Sequence, residues 1–435
     1  MRSPHGERRP GREVDNAVSR TSYPKGKIKA LLLEGVHPAA AEMLREEGFQ
    51  VETAGKALEG AALARAVSGV HLLGIRSKTH LTAEALSAAA RLLAVGCFCI
   101  GTNQVDLRAA CLAGIPVFNS PFSNTRSVAE LTIAEAVALH RQVFEKSRRM
   151  HAGEWDKSAD GSHEVRGRTM GIIGYGRIGS QVSVLAESMG MRVVFFDVLP
   201  RLALGNARAC RTMVEVLEQS DVVTLHVPAT DQTDGLIGAP EIRRMRPGAA
   251  LINNARGNVV DVAALAAAIT SGHLAGAAAD VFPEEPSGKG DPFRSELCGL
   301  PNVILTPHIG GSTEEAQESI ARDVASKFVK FINVGTTTGA VNVPEVELPP
   351  QGDRRLASGD GPRRHRILHF HRNVPGVLSA MHGTIARLGA NVAAEYLQTN
   401  RDVGYVVLDV DPTDGEKVMA GVREIPETIR VRMLW

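Results

Sequence analysis

The sequence predicts an α/β protein built from two doubly wound parallel-sheet units and a smaller ferredoxin-like unit. Short apolar strands alternate with helical segments from Ile28 onward, which is the pattern of parallel βαβ units. In the second unit a glycine-rich turn, Gly174-Tyr-Gly-Arg-Ile-Gly179, follows an apolar strand and opens a helix. Residues 365–435 follow the order strand-helix-strand-strand-helix-strand. That order is typical of the ferredoxin-like βαββαβ fold.

The first unit has predicted strands at 28–33, 70–75, 92–100 and 117–119, with helices at 38–47 and 83–91. One long helix is predicted from Asn124 to about residue 150. The second unit has six predicted strands, at 169–173, 192–196, 221–226, 249–253, 276–281 and 302–306. A helix from Ser312 to about residue 334 follows, because Ser312 and Glu315 have the spacing of a capping box.

A linker rich in Pro, Gly and charge is predicted over 343–364. The last unit then has predicted strands at 366–371, 391–399, 404–409 and 428–434, and helices at 375–388 and 415–424. At the other end, the first 27 residues are rich in Lys, Arg and Pro and lack the apolar core of a secretory signal. They predict a disordered tail, with nucleic-acid contact as the weaker alternative.

Composition excludes several classes of function. The 435 residues carry 49 Lys and Arg against 48 Asp and Glu, for a formal net charge of +1. This balance argues against a general nucleic-acid binder, and the longest apolar run, 92–101, is too short to cross a bilayer. None of the five cysteines forms the C-x-x-C pair of a zinc site. We therefore expect no nucleic acid, no membrane and no metal, and a reduced, cytoplasmic compartment.

The glycine-rich turn predicts a dinucleotide site in a Rossmann-like unit. Gly174 permits the tight turn, Gly176 lets the backbone approach a pyrophosphate, and Gly179 allows close packing of helix on strand. Asp197 ends the next strand, where an acid accepts hydrogen bonds from the adenosine ribose and favours NAD over NADP. Further cofactor contacts are predicted at Tyr175, Arg177, Ile178, His226, Val227 and Pro228, although His226 could equally be a satisfied histidine at a strand end.

Three later strands of the same sheet end in polar groups, namely Arg256, Glu285 and His308. The carboxyl ends of parallel strands meet at one edge, so these groups should face the cofactor turn. Hydride transfer from an alcohol needs a base for the hydroxyl proton, and His is suited because its pKa lies near neutrality. A Glu that binds one ring nitrogen of the His would fix the tautomer of the imidazole. The guanidinium of an Arg can donate two parallel hydrogen bonds to a substrate carboxylate. Further cofactor contacts at this edge are predicted at Ala255, Arg256, Asp280, His308, Gly310 and Gly311.

At these residues the chain resembles the D-isomer-specific 2-hydroxyacid dehydrogenases. The resemblance runs from about Ile28 to Trp435 and rests on the strings GCFCIGTNQVDL, PFSNTRSVAEL, GIIGYGRIG, DVVTLHVP, LAGAAADVFP, LTPHIGGST and AAEYLQT. Within this family the chain most resembles the bacterial enzymes that carry a C-terminal ACT domain. Those enzymes oxidise 3-phosphoglycerate to 3-phosphohydroxypyruvate with NAD, at the entry to serine synthesis. The resemblance assigns catalysis to Arg256, Glu285 and His308, and places Asp280 beside the nicotinamide.

The same resemblance implies a domain organisation. A discontinuous substrate-binding domain covers 28–123 and 311–342, an NAD-binding domain covers 124–310, and the ACT domain covers 365–435. It assigns the substrate to Arg76, Ser77, Lys78 and Asn124, and an L-serine effector to His371, Asn373 and Asn391. A homodimer or homotetramer is implied, with Trp155 and Lys157 reaching across the subunit contact. Two positions depart from the pattern, namely Lys78, where Arg is usual, and Asn254, where a small or hydroxyl residue is usual.

Two other functions are compatible with these residues. The chain could act on another 2-hydroxy acid, such as glycerate or 2-hydroxyglutarate, since Arg76 and Lys78 suit either a phosphate or a second carboxylate. It could also be an NAD-sensing binding protein without turnover, although a complete Arg, Glu and His set argues against that.

Overall fold

The computed structural model describes residues 24–286, 290–349 and 364–434. Most of the tail predicted over 1–27 lies outside the described residues, as do positions 350–363 of the predicted linker. Within the predicted tail, Lys25–Lys27 form a turn of 3-10 helix, and the ammonium of Lys25 pairs with Glu47. No helix among the described residues has the length and apolar character needed to span a membrane.

The first unit is a parallel sheet covered by helices. Its strands are β1 Lys29–Leu32, β2 Gln50–Thr53, β3 Leu72–Ile75, β4 Ala94–Cys97 and β5 Val117–Phe118, and they pair in the order β2-β1-β3-β4-β5. The helices between them are α1 Pro38–Glu46, α2 Gly60–Ser68, α3 Ala83–Ser87 and α4 Leu107–Leu112. Strand β2 and helices α2 and α4 were not predicted. Most residues of β2 are exposed, so its sequence lacks the continuous apolar run that predicts the other strands.

The second unit is a larger parallel sheet with the order β12-β11-β10-β9-β6-β7-β8. Its strands are β6 Thr169–Ile173, β7 Arg192–Phe196, β8 Arg208–Ala209, β9 Val222–Leu225, β10 Ala249–Asn253, β11 Leu274–Ala279 and β12 Val303–Leu305. Six of these match the predicted strands, and the two-residue edge strand β8 was missed. The helices are α7 Arg177–Ser188, α8 Met213–Gln219, α9 Ala239–Arg244 and α10 Val262–Thr270. The order reverses beside β6, and ligands bind at such reversals at the carboxyl ends of the strands.

The long helix predicted from Asn124 is in fact two helices, α5 Thr125–Arg141 and α6 Val143–His151. Gln142 between them adopts a left-handed conformation with φ 52°, which ends the hydrogen-bonding pattern of an α-helix. The Gln142 side chain donates to the carbonyl of Asp160, an interaction with a distant loop that helical periodicity cannot show.

Helix α11, Glu314–Val334, returns from the second unit to the first and packs on α1 and β4. The predicted capping box was placed one residue too early, because Thr313 is the N-cap and its Oγ1 accepts from the amide of Ala316. Phe328 of α11 is fully buried and makes edge contacts with Phe98 and Phe118. This aromatic packing makes the first unit discontinuous in sequence.

The last unit is an antiparallel sheet in the order β14-β15-β13-β16, the arrangement of a ferredoxin-like fold. Its elements are β13 His365–Arg372, α12 Val377–Arg387, β14 Val392–Thr399, β15 Val403–Val410, α13 Gly415–Arg423 and β16 Thr428–Leu434. Its sheet packs against the first unit, where the buried Arg366 pairs with Asp409 and donates to the carbonyl of Val334. The predicted linker begins with packed residues, since Val346 is buried and hydrogen-bonds Thr337.

Candidate active site

The glycine turn between β6 and α7 has the geometry that a pyrophosphate requires. Gly174 has φ 91°, and a Cβ there would collide with the carbonyl of His226. A Cβ at Gly179 would collide with the carbonyl of Gly174, so helix and turn can approach closely only without one. A Cβ at Gly176 would meet nothing within 4 Å. Gly176 is the N-cap of α7, so this open space lies at a helix N-terminus, where phosphates bind.

Asp197 ends β7 beside this turn and is held by its neighbours. Its Oδ2 accepts from the amide of Tyr175 at 2.8 Å, and its Oδ1 accepts from the amide of Leu199 at 2.9 Å. The guanidinium of Arg201 forms an ion pair with the same carboxylate at 3.2 Å. The carboxylate is therefore fixed in place before a ribose arrives, with part of its acceptor capacity left for the hydroxyls.

The other cofactor residues predicted on this turn take different positions. The ring of Tyr175 is buried, stacks on Phe195 and hydrogen-bonds Ser183, so its side chain lies in the core rather than in the cleft. The predicted contact at Tyr175 can therefore involve its backbone alone. Arg177 places its guanidinium 3.8 Å from the ring centre of Phe122, between the two parallel-sheet units. Ile178 is partly buried and packs against the core of the second unit.

His226 follows β9 and is a neutral imidazole. Burial lowers its pKa to about 3, and its Nε2 hydrogen-bonds Thr224 at 3.0 Å. Its Nδ1 is shielded from solvent and has no hydrogen-bond partner among the described residues. Val227 beside it contacts the position that a Cβ on Gly174 would take, and Pro228 is exposed. The glycine cradle, the fixed acid and this unsatisfied ring nitrogen together fit a bound dinucleotide.

His308 and Glu285 form the pair predicted from the sequence. Nδ1 of His308 lies 2.9 Å from Oε2 and 3.1 Å from Oε1 of Glu285. The hydrogen bond to Glu285 raises the pKa of His308, and burial opposes that effect. For Glu285, burial acts to raise the pKa, but the hydrogen bond and charge of His308 outweigh it and the pKa is lowered. The arrangement leaves Nε2 of His308 as the nitrogen for a substrate proton.

Asp280, at the end of β11, fixes the loop that carries His308. Its Oδ1 accepts from Thr306 at 2.6 Å and from the amide of Ile309 at 2.7 Å, and its Oδ2 accepts from the amide of Gly310 at 2.7 Å. This loop holds His308 at φ 55°, a backbone conformation that a non-glycine residue adopts only when its surroundings impose it. The role visible for Asp280 is therefore to shape the catalytic loop.

Arg256 follows β10 and lies within electrostatic reach of both Glu285 and His308. Asn253 shapes this turn, because its Nδ2 donates to the carbonyl of Arg256 and its Oδ1 accepts from the amide of Ala255. Asn254 turns into the protein and donates to Glu135 at 2.7 Å and to Thr132 at 3.1 Å. The unusual residue at 254 thus forms a buried network behind the turn.

In the first unit, Arg76, Ser77 and Lys78 follow β3, and the side chains at 77 and 78 are exposed. The charges of both Arg76 and Arg256 act on the buried thiol of Cys99, so both arginines lie in its neighbourhood. Asn124, just before α5, is buried beside Gly311 and has an Oδ1 without a partner among the described residues.

The three predicted effector residues do not converge within one chain. His371 pairs with Gly404 near one end of the last sheet, and Asn373 donates to the carbonyl of Asn400 at that same end. Asn391 precedes Val392, which pairs with Val410 at the other end of β15. The six residue steps from Gly404 to Val410 span roughly 20 Å at about 3.3 Å per residue. Strand register, which local sequence patterns do not encode, thus separates three residues that were predicted to share one site.

Sequence reasoning missed several residues that build the site. Glu34 binds the backbone of the Arg76 loop, Asn253 binds the Arg256 turn, and Glu135 lies buried behind that turn. The sequence pattern does not single these residues out, because each is one polar residue in or beside an apolar helix or strand. The metal-ligating side chains of the described residues form no cluster of three or more.

Comparisons with known proteins agree with this geometry. The family profile described as D-isomer specific 2-hydroxyacid dehydrogenase, NAD binding domain, matches residues 133–310. Over 421 residues the chain is 51% identical to the D-3-phosphoglycerate dehydrogenase of Escherichia coli (strain K12), covering 96% of this chain and 100% of that protein. The chain belongs to the D-isomer-specific 2-hydroxyacid dehydrogenase family. The resemblance inferred from its motifs is confirmed, and the chain is an NAD-dependent dehydrogenase.

Other relatives extend this family assignment. The D-3-phosphoglycerate dehydrogenase of Dictyostelium discoideum is 50% identical, covering 95% of this chain and 99% of that protein. The structure of D-lactate dehydrogenase from Aquifex aeolicus, complexed with NAD and lactic acid, superposes with a TM-score of 0.62 at 28% identity, covering 70% of this chain and 96% of that one. A profile for an AHAS small subunit-like ACT domain matches residues 367–430. The predicted fold class and NAD cofactor are therefore confirmed.

Proposed function

We propose that this dehydrogenase oxidises D-3-phosphoglycerate to 3-phosphohydroxypyruvate with NAD, the first step of L-serine biosynthesis. The observation that carries the proposal is the His308–Glu285 pair, at 2.9 Å, with Arg256 near enough to act electrostatically on both residues. Identity of 51% over the full length of a D-3-phosphoglycerate dehydrogenase supports the substrate.

Different residues take the hydroxyl proton of the substrate and bind its carboxylate. In oxidation, neutral His308 takes the substrate hydroxyl proton at Nε2, while Glu285 holds Nδ1 and stabilises the imidazolium that forms. NAD, when bound, supplies the acceptor for the hydride. The guanidinium of Arg256 binds the substrate carboxylate and polarises the oxygen that becomes the ketone. In the reverse direction protonated His308 returns the proton to that oxygen.

The substrate phosphate has its own anchor. Arg76 provides a fork for two phosphate oxygens and Lys78 a point charge, and the exposed Ser77 lies between them. Asn124, buried at the cleft beside Gly311, completes the substrate contacts. A second carboxylate could also bind these two cations, so 2-hydroxyglutarate is the competing substrate that the test includes.

The test is NADH formation with purified protein. We expect turnover of D-3-phosphoglycerate by the wild type, much slower turnover of D-glycerate and D-2-hydroxyglutarate, and loss of turnover in His308→Ala with NAD binding preserved. The control is His382→Ala, which removes a second imidazole–carboxylate pair, with Glu395 at 2.8 Å, far along the chain in the ACT domain. An active His308→Ala variant would remove the general base, and faster turnover of 2-hydroxyglutarate would change the substrate.

We further propose that L-serine binds between two copies of the ACT domain, which would inhibit the enzyme. A single chain separates His371 and Asn373 from Asn391, so a complete site needs the Asn391 of a second copy. The assembly would be a homodimer or homotetramer, and a second contact would involve Trp155, which is 78% exposed, and Lys157 beside it. Serine titration against initial rate tests the effector, and the sedimentation of Trp155→Glu against wild type tests the second contact.

We place this reaction in the cytoplasm, because the five cysteines are free thiols, as a reducing compartment would keep them. Fractionation of cells that express the full chain would test this assignment.

A further inference from the structure

Glu34 follows the first strand of the substrate-binding unit and makes three bonds to one loop. Its Oε1 accepts from the amides of Arg76 at 3.1 Å and Thr79 at 2.8 Å, and its Oε2 accepts from the amide of Lys78 at 2.9 Å. One carboxylate thus binds three of the four amides of the segment 76–79. That segment carries both cations of the proposed phosphate anchor.

The backbone at Glu34 is held in a conformation that its residue type disfavours. Glu34 has φ 62° and is followed by Gly35, also at φ 62°. Glycine adopts this region readily, whereas a residue with a Cβ does so only under constraint. The turn is fixed by two bonds to the segment after β2, from the Glu34 amide to Lys56 and from the Gly35 amide to Ala54. A carboxylate is present where glycine would suit the backbone better, which points to a role for the side chain.

A second residue holds the same loop from the other side. Nε2 of Gln104 donates to the carbonyl of Arg76 at 2.6 Å. Arg76 is therefore fixed through its amide by Glu34 and through its carbonyl by Gln104. Because its backbone is fixed, only the side-chain torsions of Arg76 remain to be ordered when a phosphate binds. The loss of conformational entropy on binding is therefore smaller.

The charge of Glu34 is compatible with an anion bound nearby. Both of its oxygens accept hydrogen bonds from backbone N–H groups of the loop. The amides of Arg76, Lys78 and Thr79 already donate to Glu34, so the side chains of the loop are the groups left to bind a phosphate. The loop is thus arranged for recognition through Arg76 and Lys78.

We propose that Glu34 is a positioning residue that sets the preference of this enzyme for a phosphorylated substrate. It acts by fixing the loop 76–79 so that Arg76 and Lys78 reach the phosphate together. The inference rests on the proposed function, because it concerns the group that distinguishes 3-phosphoglycerate from glycerate.

Two variants separate the carboxylate from the backbone it occupies. Glu34→Gly removes the side chain but suits the left-handed turn, so the fold should be retained. Glu34→Gln keeps a carbonyl oxygen that can serve two of the amides, and its NH₂ group opposes the third. Glu52→Gln, an exposed carboxylate on β2 of the same sheet, is the control.

We expect the KM for D-3-phosphoglycerate to rise on the order of 10- to 100-fold in Glu34→Gly, which corresponds to losing hydrogen bonds from a charged group. The rise in Glu34→Gln should be smaller. In both variants kcat, the KM for NAD and kcat/KM for D-glycerate should stay within about threefold of wild type, and so should all values for Glu52→Gln. Circular dichroism and thermal unfolding check that the variants are folded.

The outcomes distinguish this inference from the one it depends on. If the wild type fails to turn over D-3-phosphoglycerate, the proposed function fails. If the wild type prefers the phosphorylated substrate and Glu34→Gly keeps that preference, the positioning role is wrong. An equal loss of kcat on both substrates would show that Glu34 serves the fold alone, and this too would overturn the inference.

Discussion

His308 and Glu285 are joined through Nδ1 of the imidazole at 2.9 Å, which decides which ring nitrogen takes part in chemistry. Nε2 is the nitrogen that this bond leaves for a substrate proton, and the hydrogen bond to the carboxylate raises the pKa of the ring above its usual 6.5. The base is therefore stronger than an isolated imidazole, and it is held at φ 55° by a loop that Asp280 binds.

The pH dependence of oxidation should report this pair. Oxidation needs neutral His308, so its rate should fall as the pH drops through the raised pKa of His308, and ketone reduction should fall as the pH rises through the same value. In Glu285→Gln the hydrogen bond no longer involves a charged carboxylate, so the pKa of His308 should fall. The acidic limb of the pH–rate profile for oxidation should therefore move to lower pH. We also expect kcat to fall by on the order of 10²–10⁴-fold. Initial rates of oxidation and reduction between pH 5 and pH 10 measure the two profiles. An acidic limb at the same pH in Glu285→Gln and wild type would contradict the role of the pair.

Asp280 should influence catalysis through the loop that it shapes. In Asp280→Asn the Nδ2 group would oppose the amide of Gly310, which would cost about 1–3 kcal/mol at a buried site. We expect kcat to fall by about 10-fold or more while NAD still binds. The control is Asp261→Asn, which alters the N-cap of α10, since Asp261 accepts from Ala264 there. Equal kcat values in the two variants would argue against the role of Asp280.

Cofactor preference should depend on Asp197 and on its ion pair with Arg201. Asp197→Ser removes the carboxylate that would bind the ribose and repel a 2′-phosphate, and it leaves Arg201 without that partner. We expect KM for NAD to rise by about 10- to 100-fold, and turnover with NADP to improve. The double variant with Arg201→Met should lose the gain with NADP. Steady-state kinetics with both cofactors test this, and an unchanged NAD/NADP ratio would contradict it.

The buried carboxyl of Glu135 should make stability depend on pH. Burial raises its pKa from 4.5 to about 7, and the hydrogen bond from Asn254 opposes this. The folded protein therefore retains a proton that the unfolded chain releases, and stability should decrease as the pH rises from 4.5 through 7. The loss amounts to roughly 3 kcal/mol.

Glu135→Gln should remove this loss. We expect the variant to unfold at higher temperature than wild type at pH 8, with the difference shrinking towards pH 5. Glu130→Gln is the control, since Glu130 is exposed on the same helix and pairs with Arg126. A variant that is less stable than wild type at pH 8 would mean that ionised Glu135 stabilises the fold.

The sequence by itself determined the buried strands of the sheets, the cofactor turn and the candidate catalytic groups. Buried parallel strands such as β6 and β10 are continuous apolar runs, and only glycine fits at 174 and 179, so both leave a local signal. His308 and Glu285 were found because each follows such a strand. These features depend on neighbours in sequence, and local patterns can therefore show them.

Tertiary structure alone decided the contacts between distant segments. The bonds of Glu34 to the Arg76 loop and of Glu135 to Asn254 join residues more than 40 positions apart, and a single polar residue has no period to detect. The break at Gln142 and the distance between His371 and Asn391 likewise follow from packing and strand register. The physical reason is that such interactions depend on where the chain returns in space, which neither propensity nor spacing along the sequence encodes.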